Sequence, residues 1–276
     1  MIQQLNLIKW SFRKIVVPIY NNGLNLEVGS GGNPHPMADV LLDKYIDDRH
    51  RLRAIKIDRP MILADASKMP FRDKSFDFIF AYHILEHVDE PSMFLLELQR
   101  VGKGGYIETP NALYERICPL TVHRSEIFLI NNKLYIFKKK LPKSDDFISN
   151  LKILERDKYW SKLFYNNPQL FHCCYLWKGK IDYEVVNIDV RADWVIDLNS
   201  TDVINNNVGS VKRSWRSSLI NVIRNFRSKT IDIDKILVCP ECKSDLFKTN
   251  DYYQCTSHSC SLKFKRKPLP DFTNPI

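Results

Sequence analysis

Nowhere among the 276 residues do roughly 18 apolar residues run together, so the signature of a membrane-spanning helix is absent. The opening residues lack the charged, apolar and small-residue succession of a signal peptide, which makes a soluble cytoplasmic protein the expectation. No internal repeat occurs, and the one biased tract is the Asn-rich "DLNSTDVINNNVGS" at 197–210. Glycine is short where a dinucleotide fold needs it. "LEVGSGGNPHPMADVLLDKY" supplies Gly29 and Gly31, but Asn33 and Pro34 follow where a third glycine would pack a helix under a pyrophosphate. The next acid, Asp43, also comes too soon for that fold. A ligand without phosphate is the better fit.

What is present describes an ordinary globular chain with a sizeable core: 44% of residues are apolar and 26% charged. The length accommodates one full α/β domain and a smaller module. A net charge of +9 suits an anionic partner such as RNA, a phosphorylated substrate or a membrane surface, and equally a Lys-rich chain with no such partner. Cys118, Cys173 and Cys174 lie mid-chain, whereas four cysteines crowd between Cys239 and Cys260. In a chain expected to stay in a reducing compartment, such a cluster points to metal before disulfide.

From Leu24 to Thr109, short apolar runs alternate with polar helical stretches, the pattern of βαβ units on a mostly parallel sheet. Strands are expected at Leu24 to Val28, Val40 to Leu42, Met61 to Ala64, Phe76 to Tyr82 and Gly105 to Glu108. "VDEPSMFLLELQRV" reads as a helix with Asp89 as N-cap, Pro91 in the first turn, and Phe94, Leu95, Leu98 and Val101 on one face. "EIFLINNKLYIFKKK" suggests a hairpin turning at Asn131 and Asn132, and "DKYWSKLFYNNPQLF" a helix ended by a Pro break. At the start, Leu5, Ile8, Phe12 and Ile15 share a helical face.

In their order, "LEVGSGGNP", "LLDKY" and "ILADASKMPFRDKSFDFIFAYHILEHVDEPSMFLLELQRVGKGGYIETPN" resemble the class I S-adenosylmethionine-dependent methyltransferases, specifically the type 11 methyltransferase domain. The resemblance implies a Rossmann-like, mostly parallel seven-stranded sheet. It implies that Glu27 holds the methionine ammonium and that Gly29, Ser30 and Gly31 wrap the amino-acid portion. Asp43 would bond the ribose hydroxyls, Asp65 with Ala66 would read the adenine edge, and Tyr82 would close the fourth strand toward the methyl group. His83, at the end of that strand, is the candidate catalytic base; the other reading is a histidine that packs or orients the loop. Glu86 and His87 read best as bracing that loop. "HILEH" also satisfies the H-x-x-E-H pattern of a zinc peptidase family, but that pattern requires a helix, and here its first histidine ends a strand.

Near the end, Cys239-x2-Cys242 and Cys255-x4-Cys260 form two knuckles suited to tetrahedral structural zinc. With the late "PLPDF", this stretch resembles the zinc ribbon of small activator subunits of transfer-RNA and protein methyltransferases. His258 sits at the commoner second-knuckle spacing, and four cysteines are preferred over three plus His258. "VKRSWRSSLINVIRNFRSK" spaces Trp215, Leu219, Val222, Ile223 and Phe226 on one face of a basic helix, compatible with a membrane surface, RNA or the protein's own domain.

The expected organisation is a methyltransferase domain over 1–196 (cofactor core 24–111, substrate-side region 112–196), a linker and basic amphipathic helix over 197–234, and a zinc ribbon over 235–276. The expected activity is methyl transfer from S-adenosylmethionine to a small polar or glycan-type acceptor. RNA is second, since no RNA-binding module and no asparagine-proline-proline-tyrosine motif occurs. A non-catalytic adaptor binding a protein partner through the ribbon is the alternative from another class.

Overall fold

The computed structural model describes residues 23–46, 54–118, 120, 122–139, 157–186 and 231–276. The expected N-terminal helix, the Asn-rich linker and the basic helix at 211–229 lie outside these residues.

Four buried apolar runs become the centre of a sheet: β1 (Asn25–Val28), β2 (Val40–Asp43), β3 (Met61–Leu63) and β4 (Phe78–Tyr82). Every residue in them is buried, as parallel strands covered on both faces require. With β5 (Gly104–Pro110) and β8 (His172–Lys178) they form a sheet ordered β3-β2-β1-β4-β5-β8. All pairings are parallel except β8, which runs antiparallel to β5. Among the described residues the sheet therefore has six strands where seven were expected. The hairpin that the substrate-side region contributes, β6 (Ser125–Ile130) and β7 (Lys133–Lys138), joins β9 (Tyr183–Val186) in a sheet of its own. That hairpin turns at Asn131 and Asn132, with φ of 50° and 61°. Two successive left-handed residues are what a type I′ turn demands, and Asn tolerates them.

Helix α1 (Pro91–Val101) buries Phe94, Leu95, Leu98 and Val101 completely, the expected face. Its N-cap is Glu90, not Asp89, and no side chain bonds the first-turn amides. Pro91 opens the helix, so the cap position falls one residue later than expected; Asp89 instead faces Arg124 at 3.5 Å. Helices α2 (Ala112–Ile117), α3 (Lys158–Asn166) and α4 (Pro168–Phe171) follow, with Pro168 separating the last two as the sequence suggests.

The C-terminal module is a three-stranded antiparallel sheet of β10 (Leu246–Lys248), β11 (Tyr252–Cys255) and β12 (Lys263–Lys265). It docks on the open edge of the main sheet. Leu63 N–H donates to the Pro270 carbonyl at 2.9 Å, and Phe272 N–H to the Leu63 carbonyl at 2.7 Å, so "PLPDF" lies alongside β3. Val238 N–H donates to the Pro70 carbonyl and Arg72 N–H to the Ile236 carbonyl. Ion pairs Arg72–Asp245 (2.6 Å) and Lys68–Glu241 (2.9 Å) flank the seam. Leu237, Tyr253, Phe264 and Phe272 belong to the same buried cluster as Phe71, Phe76 and Leu95. One hydrophobic core thus runs through both parts of the chain.

Candidate functional site

In a parallel sheet all strands point their C-terminal ends to one edge, and a crevice opens where the strand order reverses. Here the order reverses between β1 and β4, and the turn after β1 carries the two glycines. Gly29 and Gly31 sit at φ of 69° and 54°, left-handed conformations that glycine adopts without strain. A Cβ added at Gly31 would meet only the Gly29 carbonyl oxygen, at 4.0 Å, so that face of the bend is open. Between the glycines, Ser30 Oγ is buried and has no hydrogen-bond partner. Such an orphan in a native fold calls for an explanation, and a bound ligand is one.

The expected ligand-binding acids end neighbouring strands. Asp43, buried at the tip of β2, accepts from Gly31 N–H at 3.0 Å and Tyr45 N–H at 3.2 Å. These bonds fix the direction of the carboxylate at the strand tip. Asp65, just beyond β3, accepts from Ser67 N–H at 2.8 Å and pairs with Lys44 at 2.7 Å. Burial alone would raise its pKa, but Lys44 and Ser67 outweigh that and hold it below the ordinary carboxylate value. Ala66 and Tyr82 are buried beside these tips. Glu27, buried in β1, accepts the His35 N–H at 2.6 Å.

That last bond belongs to a device the sequence reading missed. The shortened loop folds its prolines inward and places the His35 ring, also buried, against Phe80 with centroids 3.9 Å apart. His35 Nδ1 accepts from Met37 N–H, and Arg59 donates to the His35 and Ala38 carbonyls. A histidine between two prolines, and an arginine before Pro60, were the available signals.

His83 follows β4 at φ of 53°, a strained conformation for a residue with a side chain. Its N–H donates to the Glu108 carbonyl at 2.7 Å. Its ring lies between carboxylates, Nδ1 3.4 Å from Glu86 Oε1 and Nε2 3.4 Å from Glu108 Oε1, with the His172 ring at 5.4 Å. Burial would lower its pKa, but Glu108 and Glu86 raise it above the usual imidazole value. Glu86, by contrast, is pushed up by burial yet pulled down to about 2, mainly by His83. Glu86 and His87 occupy a single 3-10 turn, Leu85–His87, so the peptidase-like helix is absent, as expected. Glu108, His172 and His123 were not singled out in the sequence; they reach this site from distant stretches.

In the C-terminal module, Cys239, Cys242, Cys255 and Cys260 bring their sulfurs within 4.8 Å of one another. Two of the separations are 3.7 Å (Cys239–Cys260) and 3.3 Å (Cys242–Cys255). Zinc–sulfur bonds of about 2.3 Å in a tetrahedron would set sulfurs ~3.8 Å apart, so the donor set and its spacing fit the ion. His258 is exposed and outside the cluster.

Residues 36–107 match the family model described as a methyltransferase domain, a region beginning inside the shortened loop and ending in β5. Over 87 residues the chain is 37% identical to a demethylmenaquinone methyltransferase of Renibacterium salmoninarum, covering 30% of this chain and 37% of that protein. The chain thus spans well under half the length of that relative. Among solved structures, a S-adenosylmethionine-dependent methyltransferase of Mesorhizobium loti aligns at TM-score 0.33 and 17% identity, over 51% of this chain and 70% of its own. A chain from a Haloferax volcanii complex containing the Trm112 methyltransferase activator aligns at TM-score 0.38 and 10% identity, over 65% and 92%. Structural likenesses this low do not bear on function.

Proposed function

We propose that the protein transfers a methyl group from S-adenosylmethionine to a small polar or glycan-type acceptor. The observation that carries this is the bend from Gly29 to Gly31 at the reversal of strand order, with Asp43 bonded into it and Asp65 just beyond the next strand; the bend lies just before, and both acids within, the 36–107 region that matches a methyltransferase-domain model. Ser30 Oγ and the open face of Gly31 fit the amino-acid portion of the ligand, and Asp43 its ribose. Carboxylates at strand tips suit a ligand carrying a sulfonium and an ammonium. Bound there, the sulfonium supplies an activated methyl. The chain's task is then alignment of acceptor and methyl, with His83 and Glu108 at the end of β4 and β5 facing the acceptor.

The same reading gives the C-terminal module one structural zinc held by Cys239, Cys242, Cys255 and Cys260. Its role is to brace the main sheet: the seam along β3 ends one residue before the Ala64–Ala66 tip that carries Asp65.

Isothermal titration with S-adenosylmethionine tests the reading. Binding is expected for the zinc-loaded protein, and Asp43→Ala should weaken it tenfold or more, about the worth of a charged hydrogen bond. A folded, zinc-loaded chain with no affinity would instead favour a non-catalytic adaptor. Labelled methyl appearing in RNA rather than in small molecules or glycans of a cell extract would replace the acceptor class.

A further inference from the structure

Beyond His83 lies a second group of side chains arranged as ligands. Glu86, His87 and His123 each bring one donor atom within 4.8 Å of the other two. Each also has a partner behind it. Thr109 Oγ1 donates to Glu86 Oε2 at 2.8 Å. His87 Nδ1 lies 3.2 Å from the Val122 carbonyl, and His123 Nδ1 2.6 Å from Glu115 Oε2. A carbonyl and a carboxylate only accept, so both Nδ1 atoms carry the proton and both Nε2 atoms are left with a lone pair. Lys139 also pairs with Glu115. An imidazole N–H donated to a carboxylate or carbonyl is the arrangement that orients histidines toward metals.

The remaining acceptor is Glu86 Oε1. It is buried and makes no hydrogen bond; the nearest titratable group, His83 Nδ1, stands 3.4 Å away. His83 faces this oxygen at 3.4 Å without completing a hydrogen bond, so the oxygen's lone pairs can still take a cation.

We propose that Glu86, His87 and His123 bind a divalent transition-metal ion, distinct from the zinc of the cysteine module, through Glu86 Oε1 and the two Nε2 atoms. Two imidazoles and one carboxylate suit Zn2+, Mn2+ or Fe2+ and leave coordination positions open. His87 is exposed, which provides the entry path. An oxygen bound at an open position becomes more acidic. For an acceptor hydroxyl this would ease loss of its proton before methylation, an extension that rests on the methyl-transfer reading; the metal site itself does not.

The test counts ions. Metal analysis of the purified protein, followed by Mn2+ titration with free Mn2+ read by electron paramagnetic resonance, should total near two ions per chain. His87→Ala, at an exposed position, should weaken the non-cysteine ion by about tenfold or more while circular dichroism and the cysteine-bound zinc stay intact; Glu86→Gln should do the same. Cys242→Ser should remove the cysteine-bound zinc only. A wild-type total of one ion, or a total of two that His87→Ala and Glu86→Gln both leave unchanged, overturns the proposal. Two ions in a protein without affinity for S-adenosylmethionine would leave this site standing and remove the methyl-transfer reading.

Discussion

Asp65 shows how a single carboxyl sets a pH window. Its folded pKa is depressed, so its contribution is complete above the unfolded carboxylate value and is lost as pH falls through the folded one. Cofactor affinity should therefore be insensitive to Asp65 from about pH 8 down to about pH 5 and decline only at more acid pH. Asp65→Asn, compared with wild type across that range by titration calorimetry, checks this; a wild-type decline centred near neutrality that the variant lacks would show that the Asp65 carboxyl is not held below the ordinary carboxylate range. The Lys44 partner is half exposed, so the pair adds little to stability. At this scale the sequence pointed to Asp43 and Asp65 through the motifs that resemble the methyltransferase domain, each where an apolar strand run ends. It did not reveal His35, Arg59, Glu108, Glu115 or His123, whose partners are set by tertiary folding and leave no spacing to read.

Among the elements, β1 to β5 and α1 were legible because burial on both faces of a parallel sheet forces continuous apolar runs, and one buried stripe forces helical spacing. The hairpin at Asn131 and Asn132 was legible from its turn chemistry. The antiparallel placement of β8 was not, since nothing local distinguishes a strand that pairs beside β5 from one that joins β6 and β7. Nor was the lateral pairing of residues 270 to 272 with β3, a contact between distant parts of the chain. Phe272 anchors that pairing and is nearly fully buried against Tyr253 and Phe264. Phe272→Ala should cost about 3–5 kcal/mol, read from urea unfolding; a loss under about 1 kcal/mol would mean the pairing contributes nothing the rest of the core lacks.

For the molecule as a whole, one continuous core predicts one unfolding event. Removing zinc by chelation, or by Cys239→Ser, should lower the midpoint of a single calorimetric transition and also weaken S-adenosylmethionine binding, because β3 and the Asp65 tip lose their lateral support. Two separate transitions, with cofactor affinity unchanged after zinc loss, would show that the module rides on the sheet without bracing it. Among the described residues no helix is long and apolar enough to cross a membrane.

The strand formed by Met61–Leu63 ends its sheet, and its outward amide and carbonyl at Leu63 are satisfied by the tail of the same chain. Stripped of that tail, the margin would offer unfilled donors and acceptors to any passing extended peptide, other copies of itself included. The cysteine module therefore also acts as a guard against self-association, and a chain ending before it should emerge as oligomers or precipitate.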